Sequence, residues 1–140
     1  MNQLYMEILS KEENELVVRT ALIAFLLPLN PTNDELLELK TICAEAVVNA
    51  IVHAYPNEEG FIMITIRYEN RKVELIIEDE GIGMEDIDQY RTTFFSTKAN
   101  EEHSGMGFTI MESFSDEMKV ESEVGMGTTI TLIKQLHDIQ

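Results

Sequence analysis

From Ile42 to Ala54 the only strongly polar side chains are Glu45, Asn49 and His53. A helix that is apolar nearly all round has to be buried, so this segment needs protein packed around it. At 3.6 residues per turn, Leu36, Leu39, Cys43, Val47 and Ala50 gather on one side, while Glu45 and Asn49 stack one turn apart on the other. A carboxylate and a carboxamide turned towards an interior layer are costly unless something polar meets them. Hydrogen bonds to a neighbouring strand would meet that need, and so would a ligand; the pair alone does not decide.

Three glycine-bearing patches follow in order, and the first closes a hairpin. Ile62, Ile64, Ile66 and Tyr68 alternate with more exposed positions, Asn70-Arg71 supplies a turn, and Val73, Leu75, Ile77 and Asp79 continue the alternation. The two-residue period therefore places Asp79 on the core face. An ionised carboxylate only accepts hydrogen bonds, which suits a donor such as the exocyclic amine of adenine. In Asp79-Glu80-Gly81-Ile82-Gly83 the two glycines let backbone approach a flat ligand with no Cβ in the way. The same residues also read as a plain turn with an aspartate N-cap.

The next patch, Ser104-Gly105-Met106-Gly107, looks like a phosphate cradle. Ser104 suits an N-cap, Gly105 and Gly107 offer unobstructed amides, and Phe108 to Phe114 reads as a short apolar helix; helix starts and glycine-rich turns attract anions. Neither Gly-x-x-x-x-Gly-Lys-Ser/Thr nor Gly-x-Gly-x-x-Gly occurs. Thr92 to His103, with Lys98, has the composition of a mobile cover over phosphates or of an ordinary surface loop. In the last patch, Gly125-Met126-Gly127-Thr128, Thr128 shares a face with Ile130 and Leu132. Its hydroxyl can serve the same base as Asp79, directly or through a water, or simply begin a strand.

The four patches in this order resemble the Bergerat-fold ATPases shared by gyrase, Hsp90, histidine kinases and MutL, the GHKL superfamily. The N box corresponds to Glu45, Asn49, Ala50 and His53, and the glycine boxes to Asp79, Gly81 and Gly83, to Gly105 and Gly107, and to Gly127 and Thr128. Within that superfamily the chain is similar nearly end to end to the anti-sigma-factor serine kinases of spore-forming bacteria. The most similar runs are Glu45-Ala46-Val47-x-Asn49-Ala50-Ile51, Ser104 to Glu112, and Val120 to Thr129. The resemblance implies ATP and Mg²⁺ as cofactors, with Asn49 as a neutral Mg²⁺ ligand and Glu45 as general base. It also implies adenine reading by Asp79 and Thr128, backbone access at Gly81, Gly83, Gly105 and Gly107, and a phosphate contact from Lys98. The implied partners are a sporulation sigma factor, which is sequestered, and an anti-anti-sigma factor, which is phosphorylated on serine. Three departures stand out: His103 replaces an arginine before Ser104, no proline occurs around Arg91 to Phe95, and Ala54 replaces a glycine.

The chain has 140 residues, 44% of them hydrophobic, enough for one core, and we expect a single domain over 1–140. The expected order is a strand at Leu4 to Leu9 and a helix opened by a Ser10-x-x-Glu13 capping box. A second helix is opened by Thr32-x-x-Glu35 and ends near Tyr55-Pro56, before the hairpin, the lid, a short helix and two last strands. This is an α+β two-layer sandwich with a mixed, mostly antiparallel sheet and helices on one face. With 26 acidic and 10 basic residues the net charge is −16, which disfavours non-specific binding to nucleic acid or anionic lipid and favours basic protein partners. No 18-residue apolar run or signal peptide is seen, so a cytoplasmic location is expected. Cys43 falls on the core face of its helix, and His53, His103 and His137 are too widely spaced for a metal site. The edge strand and the amphipathic helix after it leave an apolar surface, from which we expect a homodimer. Arg19 on that helix is either a docking contact or a salt-bridge partner of Glu12, Glu13 or Glu15. Three functions remain open: a serine kinase that binds a sigma factor, an ATP-gated binding module without phosphotransfer, and a histidine-kinase catalytic domain. The last expects a helical hairpin with a phosphoacceptor histidine ahead of the domain.

Overall fold

The computed structural model describes residues 1–84 and 106–138. They form strand β1 (Asn2–Leu9), helix α1 (Asn14–Leu26), a 3-10 turn (Leu27–Leu29), helix α2 (Asn33–His53) and the hairpin β2 (Phe61–Glu69) and β3 (Lys72–Asp79). Helix α3 (Met106–Phe114) and strands β4 (Glu117–Glu123) and β5 (Gly127–Gln135) complete the order. The sheet runs β1-β2-β3-β5-β4, and each neighbouring pair is antiparallel.

Alternation decides which face of the sheet meets the helices. Ile62, Ile64 and Ile66 of β2, Val73, Leu75 and Ile77 of β3, and Ile130 and Leu132 of β5 are all buried. They pack with Val18, Leu22 and Leu26 of α1, with Leu39, Ile42, Cys43, Ala46, Val47 and Ala50 of α2, and with Phe108 and Met111 of α3. Two layers result, with the helices together on one face. Asn70 takes φ 56° at the tip of the β2–β3 hairpin, a left-handed conformation that asparagine tolerates better than most residues. Cys43 is buried in this core, which pushes its thiol up to about 12, so it packs as a small apolar side chain.

The two expected capping boxes fare differently. Thr32 and Glu35 form theirs: Glu35 N–H donates to Thr32 Oγ1 at 3.1 Å, and Thr32 N–H donates to Glu35 Oε1 at 2.9 Å. At α1 the box does not form, because the helix starts at Asn14 without a side-chain cap. Ser10 has a competing partner across the sheet end, where its Oγ accepts Gly60 N–H at 3.0 Å and its own N–H donates to Gly60 O at 2.9 Å. Arg19 takes the second of its two expected roles, with its Nε 3.2 Å from Glu15 Oε2 one turn back.

Glu35 does more than cap. Its Oε2 accepts His137 N–H at 2.7 Å, tying the chain just past β5 to the start of α2. Arg71, in the hairpin turn, donates to Leu29 O at 2.6 Å and also to His137 O. Burial works to raise the Glu35 carboxyl, but the Thr32 and His137 amides, the Thr32 hydroxyl and nearby His137 together hold it below 4.5. A carboxyl lowered on folding stabilises the native state at pH values above its unfolded pKa, and the contribution is lost as pH falls through the folded one. Glu35→Gln, which sets an amide donor against the His137 N–H, is therefore expected to cost about 1–3 kcal/mol at neutral pH. Thermal melts of both proteins across pH 3–7 should show the gap closing in acid; a gap constant with pH would contradict this account.

Candidate functional site

The inward row of β3 ends at Asp79, which pairs in register with Ile62 on one side and Thr128 on the other. Its Oδ1 accepts Gly81 N–H at 2.9 Å and Thr128 N–H at 3.2 Å; Oδ2 takes neither bond. Burial pushes the Asp79 carboxyl above 3.8, and the two amides pull the other way without cancelling the shift. The result is a half-buried acceptor with one oxygen anchored and the other clear of those bonds.

Asn49, His53, Ala54, Asp79, Gly83, Met84 and Thr128 line one narrow cleft, with about 10 Å³ of room in this structure. Helix α2 thus brings Asn49 and His53 to the same opening as the ends of β3 and β5. Glu45 lies one turn back along α2. A Cβ at Gly107 would come 2.9 Å from Glu45 Oε2, so the first turn of α3 is pressed against that carboxylate. Lys98 and Gly105 lie outside the described residues, as do Ser104 and the stretch from Thr92 to His103.

The glycines after Asp79 also have a role within the fold. A Cβ at Gly81 would stand 2.2 Å from Ala54 O, and one at Gly83, with φ 72°, would stand 2.2 Å from Glu123 O. They clear protein backbone, which lets the loop seat between the end of α2 and the end of β4. Ile82 N–H then donates to Ala54 O at 3.0 Å, and Gly125 N–H to Ile82 O at 2.8 Å. Gly127, at φ 106°, would likewise drive a Cβ to within 2.0 Å of Asp79 O. The loops at this end are laced to one another through backbone contacts that any side chain would break.

Two residues here were not singled out from sequence. Tyr55 Oη accepts Glu80 N–H at 2.9 Å and donates to Phe61 O at 2.7 Å, holding the segment after Asp79 to the start of β2. Ser122 Oγ accepts Met84 N–H at 2.8 Å and lies 2.7 Å from Thr128 Oγ1. Ser122 had a readable signal: it follows Met118 and Val120 at the inward parity of β4, as Asp79 follows Ile77 in β3.

A buried helix presents a carboxamide at the same opening as an aspartate that ends an inward strand row and a threonine paired beside it. The family model described as a histidine kinase-like ATPase domain matches residues 10–134, which sets the class and implies ATP as ligand. The anti-sigma F factor of Geobacillus stearothermophilus is 47% identical over 134 residues, covering 95% of this chain and 92% of that protein. That of Bacillus subtilis (strain 168) is 44% identical over 136 residues, covering 96% and 93%. The chain belongs to the anti-sigma F factor family within the histidine kinase-like ATPases. A solved structure of the RsbU and RsbW domains of a Mycobacterium tuberculosis protein shares the fold, with TM-score 0.70 and 18% identity. That likeness covers 97% of this chain and 32% of the other.

The donors and acceptors of the cleft suit adenine. Asp79 Oδ2 is clear of the two bonds that anchor Oδ1 and could accept from an exocyclic amine, and Thr128 lines the same cleft. Asn49 brings a neutral side-chain oxygen to the same cleft, one that could meet a cation without adding negative charge.

Proposed function

We propose that this protein is a serine protein kinase that uses ATP with Mg²⁺, sequesters a sporulation sigma factor and phosphorylates a serine of the corresponding anti-anti-sigma factor. The observation that carries the reading is the shared cleft: Asp79 and Thr128 open into the same space as Asn49, with Glu45 one helical turn away. Membership of the anti-sigma F factor family supports the partners, and the net charge of −16 favours proteins that present basic surfaces.

Bound ATP would supply the γ-phosphoryl group. On this reading Asp79 accepts the adenine amine and Thr128 completes the reading of the base edge. Asn49 would offer its side-chain oxygen to Mg²⁺, and Lys98, Gly105 and Gly107 would meet the phosphates. Glu45 would take the proton of the partner's serine hydroxyl and become a carboxylic acid as the serine oxygen bonds to the γ-phosphorus, the bond from that phosphorus to the β–γ bridging oxygen breaks, and ADP leaves. Apart from that proton transfer, catalysis is placement and charge neutralisation. The whole of 1–140 acts as one kinase domain in the cytoplasm. No helix among the described residues is long and apolar enough to cross a membrane, which is compatible with that location.

A pull-down with and without Mg·ATP, followed by mass spectrometry of the captured proteins, tests the proposal. Nucleotide-dependent capture of a sigma factor, with phosphoserine on a second partner, is expected. Capture without any phosphoserine would favour the ATP-gated binding module instead.

We further propose a homodimer through the β1 end. On α1, Leu16 and Val17 are 57% and 55% exposed, Tyr5 on β1 is 54% exposed, and β1 is an edge strand with an unpaired side. Sedimentation equilibrium at micromolar concentration should give twice the 16.0 kDa chain mass, and a monomer would reject the interface.

A further inference from the structure

Ser122 stands where three hydrogen-bonding groups cross. Its Oγ accepts Met84 N–H at 2.8 Å, lies 2.7 Å from Thr128 Oγ1 and lies 3.2 Å from Gly127 O. A serine hydroxyl carries one hydrogen and two lone pairs, and the Met84 amide takes one of the lone pairs. Two arrangements remain for the single hydrogen. It can go to Gly127 O, with Thr128 donating to Ser122, and Thr128 then offers the cleft only lone pairs. Alternatively it goes to Thr128 Oγ1, which frees the threonine's own hydrogen to point into the cleft.

The ligand decides between them. Adenine carries its amine donor next to N1, a ring nitrogen that only accepts, so a base whose amine meets Asp79 presents an acceptor to Thr128. We propose that Ser122 is a positioning residue for base recognition: by donating to Thr128 Oγ1 it turns the Thr128 hydroxyl into a donor for N1 of adenine. The hydrogen bonds then run one way, from Met84 N–H to Ser122, to Thr128, to the base, and each polarises the next. A bridging water between Thr128 and N1 would preserve that direction. Ser122 itself touches neither base nor phosphate in this scheme. The inference rests on the nucleotide reading of the cleft and adds how its selectivity for an acceptor at N1 arises.

The test is a calorimetric comparison of ATP with 1-deaza-ATP, which keeps the amine and replaces N1 by a C–H, in the presence of Mg²⁺. In the unaltered protein 1-deaza-ATP should bind more weakly than ATP. Ser122→Ala is expected to lower ATP affinity about five- to tenfold while changing 1-deaza-ATP affinity by less than about twofold, since the relay has no acceptor to serve there. Ser122→Thr keeps a hydroxyl and should hold ATP within about threefold of the unaltered protein; it also serves as the readout should the alanine variant fold poorly. Equal losses for both nucleotides would mean that Ser122 merely shapes the loop, and would overturn the inference, as would an unchanged ATP affinity in Ser122→Ala. An unaltered, folded chain that takes up no ATP at all would instead overturn the nucleotide reading, and this inference with it.

Discussion

Asp79→Asn should lower ATP affinity by about 100-fold or more while leaving the nucleotide-free protein at least as stable as before. The two effects separate because the two carboxylate oxygens have different duties. Oδ1 accepts the Gly81 and Thr128 amides, and an asparagine oxygen can take both bonds in the same place. The substituted amide then falls where Oδ2 was, setting N–H donors against the adenine amine. The stability side follows from charge. Burial raises the Asp79 carboxyl, so its ionised form opposes folding above that raised pKa, and the penalty fades as pH falls through it. A neutral amide removes the penalty at neutral pH. Titration calorimetry and a nucleotide-free thermal melt measure the two quantities separately. Lost affinity accompanied by a fall of many degrees in Tm would mean that Asp79 is chiefly a structural residue.

Glu45→Gln should reduce phosphotransfer to a partner serine on the order of 100- to 10,000-fold, with ATP affinity held within a few-fold. Glutamine keeps the shape of the side chain beside Gly107, where a Cβ would stand 2.9 Å from Glu45 Oε2, so packing of α3 on α2 is expected to survive. What it removes is the ability to accept a proton. Single-turnover transfer from labelled ATP, alongside equilibrium binding, separates the two. Loss of binding and transfer in parallel would reassign Glu45 to positioning, and undiminished transfer would remove it from the chemistry.

Much of this arrangement is legible in the sequence, for identifiable reasons. A period of two is a local property, so the inward rows of β2, β3 and β5 could be read from alternation, and the same parity placed Asp79 and Thr128 on the core face. The Thr32–Glu35 box was legible because both partners lie within one turn of the helix they cap. Ser10 and Glu13 carry the same local pattern, but a distant amide at Gly60 claims the serine hydroxyl, and no short-range rule anticipates that competitor. Gly81 and Gly83 show a related limit. Sequence indicates that a Cβ is unwelcome, whereas only the fold shows that the neighbours are Ala54 and Glu123 backbone. Ser122 could have been found by the parity argument already applied to Asp79, since a polar residue closing an inward row asks for a partner on the core face. The second outcome for Arg19, an ion pair with Glu15, follows from i, i+4 spacing alone.

Two carboxylates near opposite ends of α2, buried Glu35 and half-buried Asp79, divide the labour between fold and site. Glu35 at one end of α2 has both oxygens engaged by its own chain, at Thr32 and His137, and contributes to holding the fold. Asp79, near the other end of α2, has one oxygen clear of the bonds that anchor it, and a half-buried acceptor left in that state suits a ligand.

The most direct test is a crystal structure of the unaltered chain with Mg²⁺ and a non-hydrolysable ATP analogue. The account predicts the adenine amine within hydrogen-bond distance of Asp79 Oδ2, the Thr128 hydroxyl at the N1 edge and the triphosphate running towards Asn49. A base bound elsewhere, or seated with Asp79 turned away from it, would contradict the account.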